Sequence, residues 1–329
     1  PVILKNQAEI SVVLPAYNAE PFIKEALLSL VNQSLKPREI ILVNDGSTDN
    51  TLEIASDLNI NKLKILSFEK NKGIVHALNE GIKIAKGRYI ARMDADDISL
   101  PTRFERQLEF LESRNLDLCS SWILNKKNNV ETLFRFPKTH ELYTMLPLVS
   151  TIAHPAVLAK ADFFHNNPYN PEYDMIEDFE LWNRTASQYR FDNIQELLYL
   201  RNYHAQARTL ENQSIHSKRH LKHSQVLFKK MNCELSIADL EVLRFLYNQS
   251  LKELSWSERK IFSFLHRIYS ENPACSDQVK KILGIVAYKV MLKRASYRLW
   301  KNSVFSEIYY PEDFDKNKLL KQWLRNLLQ

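Results

Sequence analysis

Four short apolar runs in the first hundred residues each stop at a polar cluster, and apolar side chains recur at helical spacing between them. Ile10 to Leu14 ends at Pro15-Ala16-Tyr17-Asn18, after which Phe22, Ile23, Ala26, Leu27 and Leu30 mark one face of a helix. Ile40 to Val43 ends at Asn44-Asp45-Gly46-Ser47-Thr48-Asp49, a turn whose Ser and Thr can cap the next helix. Leu63 to Phe68 reads as a third strand. Gly73 to Ala85 reads as a helix with Ile74, Ala77, Leu78, Ile82 and Ala85 on one face, and Tyr89 to Met93 as a fourth strand. This alternation predicts an α/β fold, with a mostly parallel sheet flanked by helices.

In such sheets ligands bind beyond the carboxyl ends of the strands. Tyr17/Asn18, Asn44/Asp45 and Asp94/Asp96 all fall at those ends, which is what a nucleotide-binding crevice needs. The last cluster is the most informative. Tyr89-Ile90-Ala91-Arg92-Met93 runs straight into Asp94-Ala95-Asp96-Asp97. Crowded carboxylates raise one another's pKa unless a cation sits between them. A divalent metal shared with a phosphate resolves the crowding with hard oxygen ligands. A solvated acidic turn is the plainer alternative, and agreement with the two upstream clusters weighs against it.

Charge is uneven along the chain. Residues 1 to 214 hold 24 Lys+Arg against 28 Asp+Glu, whereas residues 215 to 329 hold 21 against 11, within an overall +6. A boundary near 210 follows, with a 1–212 catalytic-type α/β domain and a basic helical domain over 213–329. The three cysteines, Cys119, Cys233 and Cys275, are scattered, which fits a reducing cytoplasm better than a disulfide scaffold. No run of about eighteen apolar residues marks a membrane span. The chain begins at Pro1 without a charged-then-apolar leader, so no signal peptide is expected, and whether residues precede Pro1 in the natural protein is left open.

Taken together, Ser11-Val12-Val13-Leu14-Pro15-Ala16-Tyr17-Asn18, Val43 to Asp49, Asn71-Lys72-Gly73, Ala91 to Asp97 and Glu177-Asp178-Phe179-Glu180-Leu181-Trp182 resemble the family 2 glycosyltransferases over residues 10 to 205. The resemblance implies a GT-A (Rossmann-like) fold, a nucleotide-sugar donor with UDP the first choice, Mn²⁺ or Mg²⁺, and inversion at the anomeric carbon. It implies a metal ligand in Asp96, with Asp94 holding the ribose or the metal's water shell. Pro15, Ala16, Tyr17 and Asn18 would face the base and ribose, joined by Glu20. An acid at Glu20 also has a plain helix-dipole explanation. Asn44 and Asp45 stand where relatives commonly carry two Asp residues, so Asn44 is a departure. Its amide can still pair with a base edge. Asn71 and Asn79 flank the third helix. Many relatives have an Arg one position before Asn79, where this chain has Leu78.

Arg92 is a candidate for diphosphate charge, or for an ion pair with a neighbouring Asp. Asp97 is a candidate cap for the helix after Leu100-Pro101. The resemblance aligns Asp178 with the general base, and Glu177 would orient it or the acceptor. Acidic residues in a first helical turn otherwise only favour the helix dipole. His154, before Pro155, would sit beside the donor sugar or acceptor, or be a hydrogen-bonded structural residue. Late in the same region, Arg201 would balance diphosphate charge and His204 would reach the metal.

From Ile215 onward the pattern is helical and basic. Over Val279 to Asn302, Ile282, Leu283, Ile285, Val286 and Val290 interleave with Lys280, Lys281, Lys289, Lys293 and Arg294, with Tyr297 and Trp300 beyond. Such a helix can lie on an anionic membrane surface, or pack on its own domain with a solvated basic face. The expected partners are a nucleotide sugar and a glycan or lipid-linked glycan acceptor, with a peripheral membrane position and a homodimer both open. Nucleic acid is not expected, because basicity alone is weak evidence for it. A processive synthase is disfavoured by the absence of a Gln-x-x-Arg-Trp motif. Two rivals stand beside this reading. A nucleotidyltransferase would need a Gly-rich basic loop after the first strand, where this chain has Pro15-Ala16-Tyr17-Asn18. A silent nucleotide-sugar scaffold would have no use for Asp94, Asp96 and Asp178.

Overall fold

The computed structural model describes residues 9–127, 130–202, 212–248, 256–294 and residue 303. The chain divides into two compact units near residue 216, with Pro147–Val149 grouped with the second. In the first unit, β1 (Ile10–Ala16), β2 (Glu39–Asn44), β3 (Leu63–Ser67) and β4 (Tyr89–Arg92) alternate with α1 (Ile23–Val31), α2 (Thr51–Asp57) and α3 (Ile74–Ile84). Then come β5 (Ile98–Ser99), α4 (Arg103–Ser113), β6 (Leu118–Lys127), β7 (Val130–Phe134), α5 (Thr139–Met145), β8 (Leu158–Lys160), α6 (Ala161–Asn166), α7 (Glu177–Thr185) and β9 (Phe191–Asn202).

The nine strands form one mixed sheet in the order β3-β2-β1-β4-β8-β6-β9-β5, with β7 added to β6. β1 runs parallel to β2 and β4, and β2 parallel to β3. β8 is antiparallel to both β4 and β6, and β9 is parallel to β6. So β1, β2, β4, β6 and β9 all point the same way, and their carboxyl ends share one edge. Every residue of β1, β2 and β4 is buried, as expected for strands covered on both faces. The alternation of side chains sorts the core. Val12, Leu14 and Ala91 pack with Leu27, Leu30 and Phe104 on one face, and Val13 and Ile90 pack with Leu78, Phe163, Trp182 and Phe191 on the other.

Gly81 sets how close α3 lies to the sheet. A Cβ there would stand 2.6 Å from Val13 Cγ1 and 2.8 Å from Val43 Cγ2. The second unit is helical: α8 (Gln213–Lys230), α9 (Ile237–Asn248), α10 (Glu258–Glu271) and α11 (Asp277–Arg294). Of the two readings of Val279 to Asn302, α11 takes the packed one. Val279, Ile282, Leu283, Ile285, Val286, Ala287, Val290 and Met291 are all buried, because α9 and α10 pack against it. Lys289 is half-buried, with its Nζ 3.6 Å from the centre of the Tyr247 ring. Tyr297 and Trp300 lie outside the described residues. No helix among the described residues is long and apolar enough to cross a membrane.

Gly81→Ala sets two effects against each other. Helix propensity favours Ala by about 1 kcal/mol, while overpacking against two β-branched side chains costs about 1–3 kcal/mol. The expected outcome is a lower urea midpoint at unchanged slope. An equal or higher midpoint would mean that α3 is not pressed onto the sheet.

Candidate active site

The loops after β1 and β2 are built by their own polar side chains. Asn18 adopts a left-handed backbone, with φ 49°. Its Oδ1 accepts the Thr48 N–H at 2.9 Å, and its own N–H donates to Ser47 Oγ at 3.0 Å. Asn44 is buried with both ends of its amide engaged: Oδ1 accepts the Ser47 N–H at 3.2 Å and Nδ2 donates to Ser67 Oγ at 2.9 Å. Asp45 accepts the N–H groups of Lys72 and Gly73 at 2.8 and 2.9 Å, and Asn71 Oδ1 also accepts from Gly73. Glu20 accepts from the backbone N–H and Nδ2 of Asn50, a cross-loop tie rather than a simple dipole effect. Gly46 is required where it stands, since φ is +71° and a Cβ would lie 2.5 Å from the Lys70 carbonyl carbon. In this rigid floor the Tyr17 ring is 50% exposed at the mouth, beside Pro15 and Ala16 at the end of β1.

At the end of β4, Arg92 turns its guanidinium onto Asp94 as a fork, with Nη1 to Oδ2 at 2.8 Å and Nη2 to Oδ1 at 2.6 Å. Burial disfavours the Arg92 cation, and Asp94 more than offsets this, holding its pKa above the usual value. The ion pair seen as an alternative in the sequence is therefore formed. Behind it, the fully buried Arg103 donates from Nη2 to the carbonyls of Arg92 (2.8 Å) and Val157 (3.1 Å), and from Nε to Gln107. Burial lowers the Arg103 pKa to about 10, so the side chain stays charged at neutral pH. Tyr199 on β9 accepts the Asp94 N–H at 3.2 Å. Sequence reading missed Arg103 and Tyr199, because nothing in their spacing separates them from ordinary helix and strand residues.

Asp94, Asp96 and Asp97 bring one carboxylate oxygen each within 4.8 Å of one another. Asp97 does not cap α4; Gln33 Oε1 accepts the Phe104 N–H in the first turn of that helix, at 3.2 Å. Asp97 accepts the Asn202 N–H at 2.9 Å instead and ties β9 to the acidic turn, while Asn202 Nδ2 donates to the Asp96 carbonyl. Burial, then Asp96 and Asp94, push the Asp97 carboxyl well above the usual range. Its Oδ2 is buried without a hydrogen-bond partner among the described residues. A hard-oxygen set with one orphaned carboxylate oxygen fits a divalent cation such as Mn²⁺ or Mg²⁺. His204 lies outside the described residues.

A third group closes on the same edge from α7. Met175 has φ 77°, a conformation uncommon for a residue with an unbranched side chain, immediately before the helix that opens with Glu177 and Asp178. Glu177 is buried, whereas Asp178 is half-buried and accepts the Phe179 N–H at 2.7 Å. Burial raises the Asp178 pKa; the Phe179 N–H and Arg92 oppose this, and Asp94 adds to it. The charges of Arg92 and Asp94 thus act on Asp178 at the start of α7. His154 is buried, with Nε2 2.8 Å from the Tyr169 hydroxyl and its ring edge-on to Trp182. Burial and Arg92 hold its pKa well below the usual value, so the imidazole is neutral. Asn79 grips the backbone of Tyr169 through both ends of its amide, at 2.9 and 3.0 Å. The fold therefore gives Asn79 a role beneath His154, and Tyr169 is a further residue missed in the sequence. Arg201 on β9 holds its guanidinium 6.0 Å from the centre of the Phe134 ring.

Known proteins resemble this chain in sequence and in fold. The chain is 32% identical over 199 residues to an uncharacterized glycosyltransferase, MJ1057, of Methanocaldococcus jannaschii, covering 57% of this chain and 69% of that one. It is 32% identical over 205 residues to the putative glycosyltransferase EpsE of Bacillus subtilis, covering 60% and 73%. It spans 62% of the length of an uncharacterized Haemophilus influenzae glycosyltransferase. Among solved structures, S. aureus TarS in complex with UDP-GlcNAc superposes with a TM-score of 0.54 at 18% identity, over 93% of this chain and 94% of that one. Mannosyltransferase PcManGT from Pyrobaculum calidifontis, in complex with GDP-Man and Mn²⁺, gives 0.52 at 16% identity, over 98% and 87%. These two likenesses are of fold, the GT-A type. The family model for glycosyl transferase family 2 matches residues 11–167. By sequence and by fold, the chain belongs to glycosyl transferase family 2.

Proposed function

We propose that the protein transfers one sugar per binding event from a nucleotide-sugar donor, UDP-linked in the first instance, to a hydroxyl of a glycan or lipid-linked glycan, with inversion. The observation that carries this reading is a half-buried Asp178 at the start of α7 on which the charges of Arg92 and Asp94 act. A half-buried carboxylate with a raised pKa, next to a site for a diphosphate, is suited to take a proton from an acceptor hydroxyl. The TarS complex with UDP-GlcNAc and the PcManGT complex with GDP-Man and Mn²⁺ support a donor of this class.

Asp96 would hold the cation, assisted by the orphaned oxygen of Asp97. Bound there, the cation would offset the charge that develops on the departing diphosphate. Asp94, with both oxygens turned to Arg92, keeps that cationic side chain aimed at the same edge. Asp178 accepts the acceptor's proton, and Glu177 at the helix start orients it. Neutral His154, fixed by Tyr169, presents a hydrogen-bonding edge without adding positive charge. Tyr17 offers an aromatic face for the base above the hydrogen-bonded floor. A nucleotidyltransferase fits less well, since the β1 loop has no Gly-rich basic segment. A silent scaffold would not need a tuned Asp178.

A peripheral membrane position is a further part of the reading, and it moves from α11 to α8. Ile215, Lys218, Lys222, Val226 and Lys229 recur at helical spacing along one exposed stripe, Ile215 and Val226 at 49% and 51% exposure. Gln213–Lys230 contains no acidic residue. Cations flanking exposed aliphatic side chains suit an anionic bilayer.

Asp178→Asn should lower kcat by about 10²–10⁴-fold while nucleotide-sugar binding persists, as read by transfer assays and thermal shift; unchanged turnover would remove Asp178 from the base role. Because burial raises its pKa, Asp178 is protonated over a wider acidic range, and only the ionised form acts. The acid limb of kcat/KM should therefore lie above about 3.9, the ordinary Asp value. Asp96→Ala should abolish the Mn²⁺-dependent part of donor-induced thermal stabilisation, and an unaltered response would refute the metal assignment. The protein should float with anionic vesicles at low salt and be released by high salt. Equal behaviour with neutral vesicles would sink the membrane reading.

A further inference from the structure

The β6–β7 hairpin carries a surface that none of the roles above uses. β6 pairs Asn125 with Arg201 of β9 on one side and with Thr132 of β7 on the other, and pairs Ile123 with Tyr199 and Phe134. Paired residues share a sheet face. Asn125, Arg201, Thr132 and Phe134 therefore stand on one face, at the carboxyl end of β6 and β9. That is the edge that also holds the acidic turn. The connection is direct, because Asn202, the residue after Arg201, donates to the Asp96 carbonyl and to Asp97.

Three properties of this face point to a ligand. Phe134 is 44% exposed, so its ring is open to a ligand. The Arg201 guanidinium approaches the same ring, at 6.0 Å from its centre. Asn125 is only 8% exposed, and its buried Oδ1 has no hydrogen-bond donor among the described residues. A buried carbonyl oxygen without a donor is costly, on the order of 1–3 kcal/mol. A ligand hydroxyl would relieve it. Three adjacent strands span about 10 Å at the usual strand spacing, room for a sugar ring together with its anionic substituent.

We propose that this face is an acceptor subsite for an anionic sugar. The C–H face of the ring lies on Phe134, a hydroxyl donates to Asn125 Oδ1, and a carboxylate or phosphate on the sugar meets Arg201. The aromatic ring selects a sugar face, and the guanidinium selects the charge, through the fork geometry that suits both anions. This inference rests on the glycosyltransferase reading, which it deepens by naming the acceptor's chemical class.

The test measures binding to the whole chain by titration calorimetry with three probes of equal size: a neutral disaccharide, one with a uronate, and one with a phosphate monoester. The expected result is at least tenfold tighter binding of one or both anionic probes than of the neutral one, and the stronger arm identifies the anion. Phe134→Ala and Arg201→Gln should each weaken that binding about tenfold, with melting temperature confirming the fold, and Phe134→Trp should restore it. Equal affinity for the neutral and anionic probes, no binding of any probe, or binding insensitive to both substitutions would overturn the proposal. Metal-dependent nucleotide-sugar binding is measured on the same samples. Donor binding without probe binding defeats this inference alone, whereas probe binding without donor binding defeats the parent reading and leaves a glycan site.

Discussion

A guanidinium buried at the end of a central strand has to find an anion, and Arg92 finds Asp94 two residues on. Much of the site depends on that pair. The strand ends there because the side chain must turn outward to be neutralised. Arg103 completes the arrangement by donating to the Arg92 and Val157 carbonyls, which ties the end of β4 to the segment just after His154. Tyr199 and Asn202 then anchor the acidic turn from β9. The three carboxylates are held close together by contacts that approach from α4 and β9. Burial, and after it repulsion from Asp96 and Asp94, is expressed as the raised pKa of Asp97, the most buried of them.

The loops at the nucleotide edge follow a different logic. Asn18, Glu20, Asn44, Asp45 and Asn71 use their side chains to hold one another's backbones. Loops so constrained lose little further entropy when a ligand binds, which is the benefit of preorganisation. The departure at Asn44 gains an explanation here. An amide can donate to Ser67 and accept from Ser47 at once, which a carboxylate cannot do. The same economy holds beneath His154, where one amide, Asn79, fixes Tyr169 across 90 residues of sequence.

The first hundred residues were legible because parallel, doubly covered strands read as unbroken apolar runs and their helices as periodic ones. Asp94 and Asp96 were legible as carboxylates at a strand end, and Asp178 was singled out by the family resemblance. Arg103, Tyr169 and Tyr199 were not legible, since each acts through a partner 50 or more residues distant in the chain or through a backbone carbonyl, and no local pattern encodes such pairings. α11 was legible only as a choice between two readings. Its interleaved lysines suit an interfacial helix as well as a packed one, and α9 and α10 cover its apolar side chains. Periodicity reports that a face is apolar and is silent about what covers it.

The sequence by itself determined the strand and helix order, the parallel core and the edge at which the polar clusters gather, because these follow from side-chain periodicity and the turn residues that interrupt it. Tertiary structure decided which polar groups are committed to holding loops and which are left with raised pKa values beside the crevice. It also decided which hairpin face stands next to the acidic turn. The physical reason is that desolvation and hydrogen-bond pairing depend on distances between elements, and those distances exist only once the sheet has brought β4, β9 and α7 to one edge.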